Sequence, residues 1–164
     1  MDAAFRIDPA VEADVPVILA LIRDLAEYEK LSDQVTATEA DIARSLFGEP
    51  PRAEAVIARL DGAAIGFALF FHNYSTFLGR PGLYLEDLYV RPAFRGRGFG
   101  RRLLVHLARI AVDRGCGRFE WSVLDWNEPA IAAYRRAGAV PLDDWTVYRL
   151  TGDALKRLAG DVEP

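Results

Sequence analysis

The sequence predicts a mixed α/β fold (α+β), with a mostly antiparallel central sheet and helices on both faces. Three observations predict it. Apolar residues alternate in some segments and recur at helical spacing in others. Asp61-Gly62 lies between two apolar runs, the signature of a two-residue hairpin turn. The strand-like run Leu83–Val90 leads through a glycine-rich turn into a long amphipathic stretch.

Each element can be justified in order. Phe5–Asp8 alternates apolar and polar residues and reads as a strand. Asp14–Glu29 places Val15, Leu19, Ile22 and Ala26 on one face, which predicts an amphipathic helix. Thr38-Glu-Ala-Asp41 is a helix-start pattern with Thr38 as N-cap, and its helix should stop near Gly48, before Pro50-Pro51. Ala53–Leu60 and Ala64–Tyr74 flank the hairpin turn as strands, and Leu83–Val90 is a third, ended by Pro92. Gly98–Arg114 carries Leu103, Leu107 and Ile110 on one face, with Gly115 at the C-terminal stop. Arg118–Leu124 reads as a strand, Asn127–Ala137 as a helix with Asn127 at the N-cap, Thr146–Leu150 as a last short strand and Asp153–Leu158 as a terminal helix. Three consecutive strands favour an antiparallel meander, and the later strand-helix-strand unit favours parallel neighbours.

Length and composition narrow the function classes. The 164 residues suit one domain spanning 1–164. Cys116 is the single cysteine, so a disulfide framework or a paired-cysteine zinc site is excluded. His72 and His106 are the only histidines and lack metal-ligand spacing, so no metal is expected. No apolar run reaches the roughly 18 residues a membrane helix needs, and Met1-Asp-Ala-Ala-Phe-Arg6 lacks a signal pattern. A soluble, cytoplasmic protein without a membrane partner is expected. The net charge of −4 argues against a nucleic-acid partner. That charge is uneven. Val11–Glu49 holds nine acidic and three basic residues, whereas Arg91–Arg102 holds five arginines and no acid. One region suits a cation and the other an anion.

The arginine-rich stretch carries the most specific motif, R-x-x-G-x-G, as Arg95-Gly-Arg-Gly-Phe-Gly100. Glycines let a backbone approach a ligand closely, and the helix N-terminus behind them leaves unpaired N–H groups facing an anion. The pattern is neither the phosphate loop nor G-x-G-x-x-G. At these residues the sequence resembles the GNAT superfamily of acyl-CoA-dependent N-acetyltransferases. Glu27-Tyr28-Glu29, Phe47-Gly48-Glu49, Tyr84-Leu-Glu-Asp87, Trp126-Asn-Glu-Pro129 and Tyr134-Arg-Arg-Ala-Gly138 narrow the resemblance to the diamine (spermidine/spermine) N-acetyltransferase family. The similarity runs over about residues 4 to 150 and is weakest around Asn73–Gly82 and after Leu142.

The resemblance implies a GNAT-like fold, acetyl-CoA as co-substrate and a homodimer as the active unit. Arg95, Gly96, Arg97, Gly98, Phe99, Gly100 and Arg101 would hold the pyrophosphate, and the edge Leu88, Tyr89, Val90 would pair with the pantetheine arm as an added strand does. Asn127 and Pro129 would add cofactor contacts. Tyr28, Glu29, Glu86 and Asp87 match acceptor-side positions. Chemistry supports these assignments. An ammonium must lose a proton before its nitrogen attacks a thioester, and a carboxylate can take that proton. Glu86 and Asp87 point to opposite sides of a regular strand unless a bulge intervenes, so one of them is the base, and the family match selects Glu86. Tyr134 matches the family's tyrosine acid, which would protonate the leaving thiolate. Without a Cys/His arrangement, direct transfer in a ternary complex is preferred over a covalent intermediate. The expected reaction is acetyl transfer to a primary amine of a small cation: a diamine, a polyamine or a thialysine-like amino acid. The alternatives are a protein or peptide acceptor, or a module that holds CoA without turnover.

Overall fold

The computed structural model describes residues 4–160. The chain divides into two compact units, one reaching Leu124 and the other starting at Asp125.

The first unit is built on five strands in the order β1-β2-β3-β4-β5. These are β1 Phe5–Pro9, β2 Glu54–Leu60, β3 Ala63–Ser75, β4 Arg80–Val90 and β5 Arg118–Trp121. The first four pair antiparallel, and β5 joins β4 in parallel. The expected meander and the parallel crossover are therefore both present. Asp61 and Gly62 have φ of 50° and 85°, the double left-handed geometry of the tight hairpin turn that Asp-Gly favours. β5 ends at Trp121, shorter than the expected strand to Leu124, because its register with β4 stops at Leu85↔Trp121.

Helices α1 Val15–Tyr28 and α2 Glu39–Phe47 cover one face, and α3 Phe99–Asp113 covers the other. Alternation in β2 divides its side chains between the two. Ala55 and Ile57 join Ile18, Leu21, Leu46 and Phe67 under α1 and α2. Val56 and Ala58 join Phe70, Leu83, Leu103 and Leu107 under α3. Thr38 caps α2 as expected: its hydroxyl accepts from Asp41 N–H, and the Asp41 carboxylate accepts from Thr38 N–H at 2.9 Å. The backbone bond from Thr38, then its hydroxyl, hold the Asp41 carboxyl below its usual range. At the far end of α3, Gly115 adopts φ 70° and Cys116 N–H donates to Ala111 O, a Schellman stop.

His72 and Cys116 meet near that stop. His72 Nδ1 is 3.0 Å from Gly82 O, its Nε2 is 2.9 Å from Arg114, and Arg114 grips Glu54 through two hydrogen bonds. These are structural ties between sheet and helix. Among the described residues no group of His, Cys, Asp and Glu could hold a metal ion, and no helix is long and apolar enough to cross a membrane.

The second unit contains α4 Glu128–Arg136 and α5 Gly152–Gly160. Asn127 occupies the N-cap position of α4 with Pro129 in the first turn, but its side chain makes no capping bond. The strand expected at Thr146–Leu150 does not form: this segment carries no regular secondary structure. Strand-favouring residues such as Thr146, Val147 and Tyr148 form a strand only where a neighbour supplies ladder partners, and among the described residues this unit holds no strand to pair with them.

Candidate active site

The functional geometry begins with a bulge in β4. Asp87 pairs with Leu69 and Leu85 with Phe70, so Glu86 is an extra residue on its strand. The bulge changes the phase of every side chain that follows. Leu83 and Leu85 lie in the core under α3, as do Leu88 and Val90, whereas Tyr89 lies in the core under α1. Alternation on each side of the bulge therefore places both Glu86 and Asp87 on the α1 face. The two carboxylates that would oppose each other on a regular strand are brought together.

Their electrostatics follow. Asp87 is half-buried and Glu86 exposed. Burial first, then the neighbouring charges of Glu86 and Glu29, push the Asp87 carboxyl up to about 6. Glu29 follows the last turn of α1 as its C-cap, and partial burial raises its carboxyl as well. Asp87 thus feels the negative charges of both Glu86 and Glu29. A cation with more than one positive group relieves such repulsion.

The same bulge marks where β4 parts from β5. The last pair of that ladder is Leu85↔Trp121, so β4 from Glu86 onward has an open edge on the β5 side. Arg91 N–H donates to Ile65 O at 2.8 Å. Antiparallel alternation then aims the backbone groups of Tyr89 and Asp87 at β3, and those of Leu88 and Val90 at the open edge. Leu88 and Val90 can receive an added strand. Tyr89, expected beside them, turns its backbone to β3 and buries its side chain.

A helix N-terminus with backbone N–H donors lies beyond this edge. Gly96 and Gly98 have φ of 73° and 82°, and Gly98 is the N-cap of α3. The first bond of the helix runs from Arg102 N–H to Gly98 O at 3.0 Å, so the N–H groups of Phe99, Gly100 and Arg101 precede the ladder. Gly100 packs over Leu88 and Val90, holding the helix end against β4. Phe99 is buried and stacks on Phe5 with ring centroids 4.8 Å apart; only its backbone can serve a ligand. Arg97 and Arg101 are exposed beside this terminus. An open strand edge leading to an electropositive helix N-terminus fits a ligand with an amide-bearing arm and a pyrophosphate, as CoA has.

Arg95, the first residue of the motif, makes its contacts within the fold. Its Nε donates to Val90 O at 2.8 Å, and its guanidinium lies over the rings of Tyr28 and Tyr89 at 4.7 and 5.1 Å. Tyr28, expected on the acceptor side, is thereby stacked against the motif's first residue. Sequence reasoning missed this contact because the two residues are far apart in the chain. Asn127, Pro129 and Tyr134 all lie in the second unit, at the start and along α4.

The fold and this edge-and-helix site define an acyltransferase of the GNAT type. Residues 18–139 match the Acetyltransferase (GNAT) family. The chain belongs to that family and is an N-acetyltransferase. It is 40% identical to the thialysine N-epsilon-acetyltransferase of Sus scrofa over 96% of this chain and 99% of that protein. It is 33% identical to an L-ornithine N5-acetyltransferase of Arabidopsis thaliana over 93% of this chain and 87% of the relative. Among solved structures, an integron cassette protein from the mobile metagenome of V. cholerae superposes with a TM-score of 0.80 at 27% identity, covering 96% of this chain and 98% of the other.

Gly98→Ala tests the anion site. A Cβ at φ 82° costs about 1–2 kcal/mol and distorts the helix start. The variant should lose most of the rise in melting temperature that CoA produces in the parent. An undiminished rise would place the phosphates elsewhere.

Proposed function

We propose that the protein transfers the acetyl group of acetyl-CoA to a primary amine of a small cationic acceptor: a diamine, a polyamine or a thialysine-like amino acid. The observation that carries this reading is the bulge that sets Glu86 and Asp87 together on the α1 face, with Glu29 nearby, at the point where the open edge of β4 begins. The names of the thialysine and ornithine acetyltransferases support the acceptor class.

When bound, acetyl-CoA supplies an activated acetyl group as a thioester. Leu88 and Val90 align its arm, and the helix end from Gly98 to Arg101 neutralises its phosphates. The acceptor enters as an ammonium, drawn by the acidic face. The Glu86–Asp87 pair takes one proton from it, directly or through a water. The freed nitrogen lone pair would attack the thioester carbonyl carbon, the C–S bond would break to release the thiolate, the thiolate would take a proton from a nearby acid, and the nitrogen's second proton would return to that acid, leaving the neutral amide and the thiol. Tyr134 is assigned the role of that acid on its match to the family's tyrosine. Glu29, and Tyr28 beside it, hold the distal end of the acceptor. Asn127 and Pro129 keep their cofactor assignment on the same grounds.

The net charge of −4 supports a cationic acceptor and no nucleic-acid partner. The reading includes a cytoplasmic homodimer. A sedimentation mass near the 18.2 kDa of one chain at micromolar concentration would reject the dimer.

Thiol release should be compared for spermidine, putrescine, thialysine, ornithine and an N-terminal peptide. Small diamines or amino acids should be turned over and the peptide should not. Acetylation of the peptide alone would replace the small-cation reading with a protein acceptor. On the best amine, Tyr134→Phe should lower kcat about 10²-fold with CoA affinity retained; unchanged turnover would remove the acid role.

Asp87 predicts a pH signature. With its carboxyl at about 6 in the folded protein, kcat/KM should rise as pH increases through that value, and Asp87→Asn should abolish this limb. Its folded value lies above the ordinary aspartate value of 3.8, so the folded state binds more protons between the two. Stability therefore falls as pH rises through this window. Asp87→Asn should raise the melting temperature at pH 8 and not at pH 3. An identical pH profile of both activity and stability would show that Asp87 is not part of the base.

A further inference from the structure

We infer that Arg95 is a positioning residue for the acceptor, a strut joining the cofactor edge to the acceptor helix. The inference rests on the amine acetyltransferase reading above and reassigns the first residue of the R-x-x-G-x-G motif within it.

Three contacts support the strut. Arg95 Nε donates to Val90 O at 2.8 Å. Val90 directs its backbone to the open edge, so this carbonyl is already engaged, and an added strand is left with Leu88 N–H, Leu88 C=O and Val90 N–H. The guanidinium lies over Tyr89, the last residue of β4 in the core under α1. It also lies over Tyr28, the final residue of α1. Glu29 follows Tyr28 directly, and its charge is felt at Asp87. The side chain thus sets the separation between the end of α1, which carries an acceptor carboxylate, and the strand edge, where the thioester must lie. Anchored in this way, it is not directed at the helix N-terminus, where the phosphates bind. Arg97 and Arg101 are the arginines left for that role.

The identity of the side chain matters. A planar guanidinium can stack on two rings and donate from Nε at once, and an ammonium cannot do all three. Lysine preserves charge and one cation–π contact but not the Val90 bond.

The test compares the parent with Arg95→Ala, Arg95→Lys, Tyr28→Leu and the double variant Arg95→Ala/Tyr28→Leu. Acetyl-CoA affinity is read by calorimetry, and KM and kcat with the best small amine of the panel. Backbone hydrogen exchange is followed over Leu25–Leu31. Arg95→Ala should raise the amine KM about 3- to 10-fold, with acetyl-CoA affinity within about twofold, and speed exchange at the end of α1. Arg95→Lys should fall between it and the parent. The double variant should be no worse than the poorer single one, since both remove one contact. An Arg95→Ala variant that binds acetyl-CoA tenfold more weakly with its amine KM unchanged overturns the inference and returns Arg95 to the phosphate. Multiplying effects in the double variant overturn it too. If the parent turns over no amine, the acetyltransferase reading fails on its own; unchanged exchange over Leu25–Leu31 in both Arg95 variants would then independently overturn the strut.

Discussion

One extra residue in one strand organises the site. Without the bulge at Glu86, the alternation of Leu83 and Leu85 would continue, sending Asp87 and Tyr89 into the core under α3 and Leu88 and Val90 toward α1. That would bury a carboxylate in an apolar layer and expose aliphatic side chains, which a sheet covered on both faces does not tolerate. The bulge reconciles the two halves of β4. It also falls where β5 ends its ladder, so the acidic face and the open edge start at the same residue. The paired carboxylates and the start of the open edge therefore coincide at a single backbone irregularity.

Charge is separated on this frame. The end of α1 gathers carboxylates although a helix C-terminus disfavours them. The start of α3 gathers arginines although a helix N-terminus disfavours cations. Neither arrangement favours the isolated fold, and each is complementary to a ligand: a cation in one case, a polyanion in the other. The raised Asp87 carboxyl records the strain on the acidic side. Arg95 stands between the two, using its charge on aromatic faces and its Nε on a carbonyl, so it contributes to geometry more than to the field.

The second unit follows local rules. α4 and α5 form where helical spacing and helix-forming residues predict them. Asn127 takes the N-cap position without making the cap, because residue type supplies a capable side chain while backbone angles, here φ −83° and ψ 68°, decide whether it reaches the first turn. Thr146–Leu150 has strand-favouring residues and no ladder.

The sequence by itself determined the order of the first nine elements, the Asp61-Gly62 turn, the Thr38 cap and the glycine-rich start of α3. All of these depend on neighbours within a few residues, so their physics is local. The motif also marked the helix N-terminus beside which Arg97 and Arg101 are exposed. Which way Glu86 and Asp87 face was undecided, since alternation cannot reveal an inserted residue whose partner strand lies elsewhere in the chain. Tertiary structure settled it through the register of β3 against β4. It also turned the backbone of Tyr89 away from the open edge, carried Arg95 to Tyr28 across the fold, and left Thr146–Leu150 outside the sheet. Each of these depends on pairing between distant segments, and hydrogen-bond partners and ring faces at such separation leave no local signature.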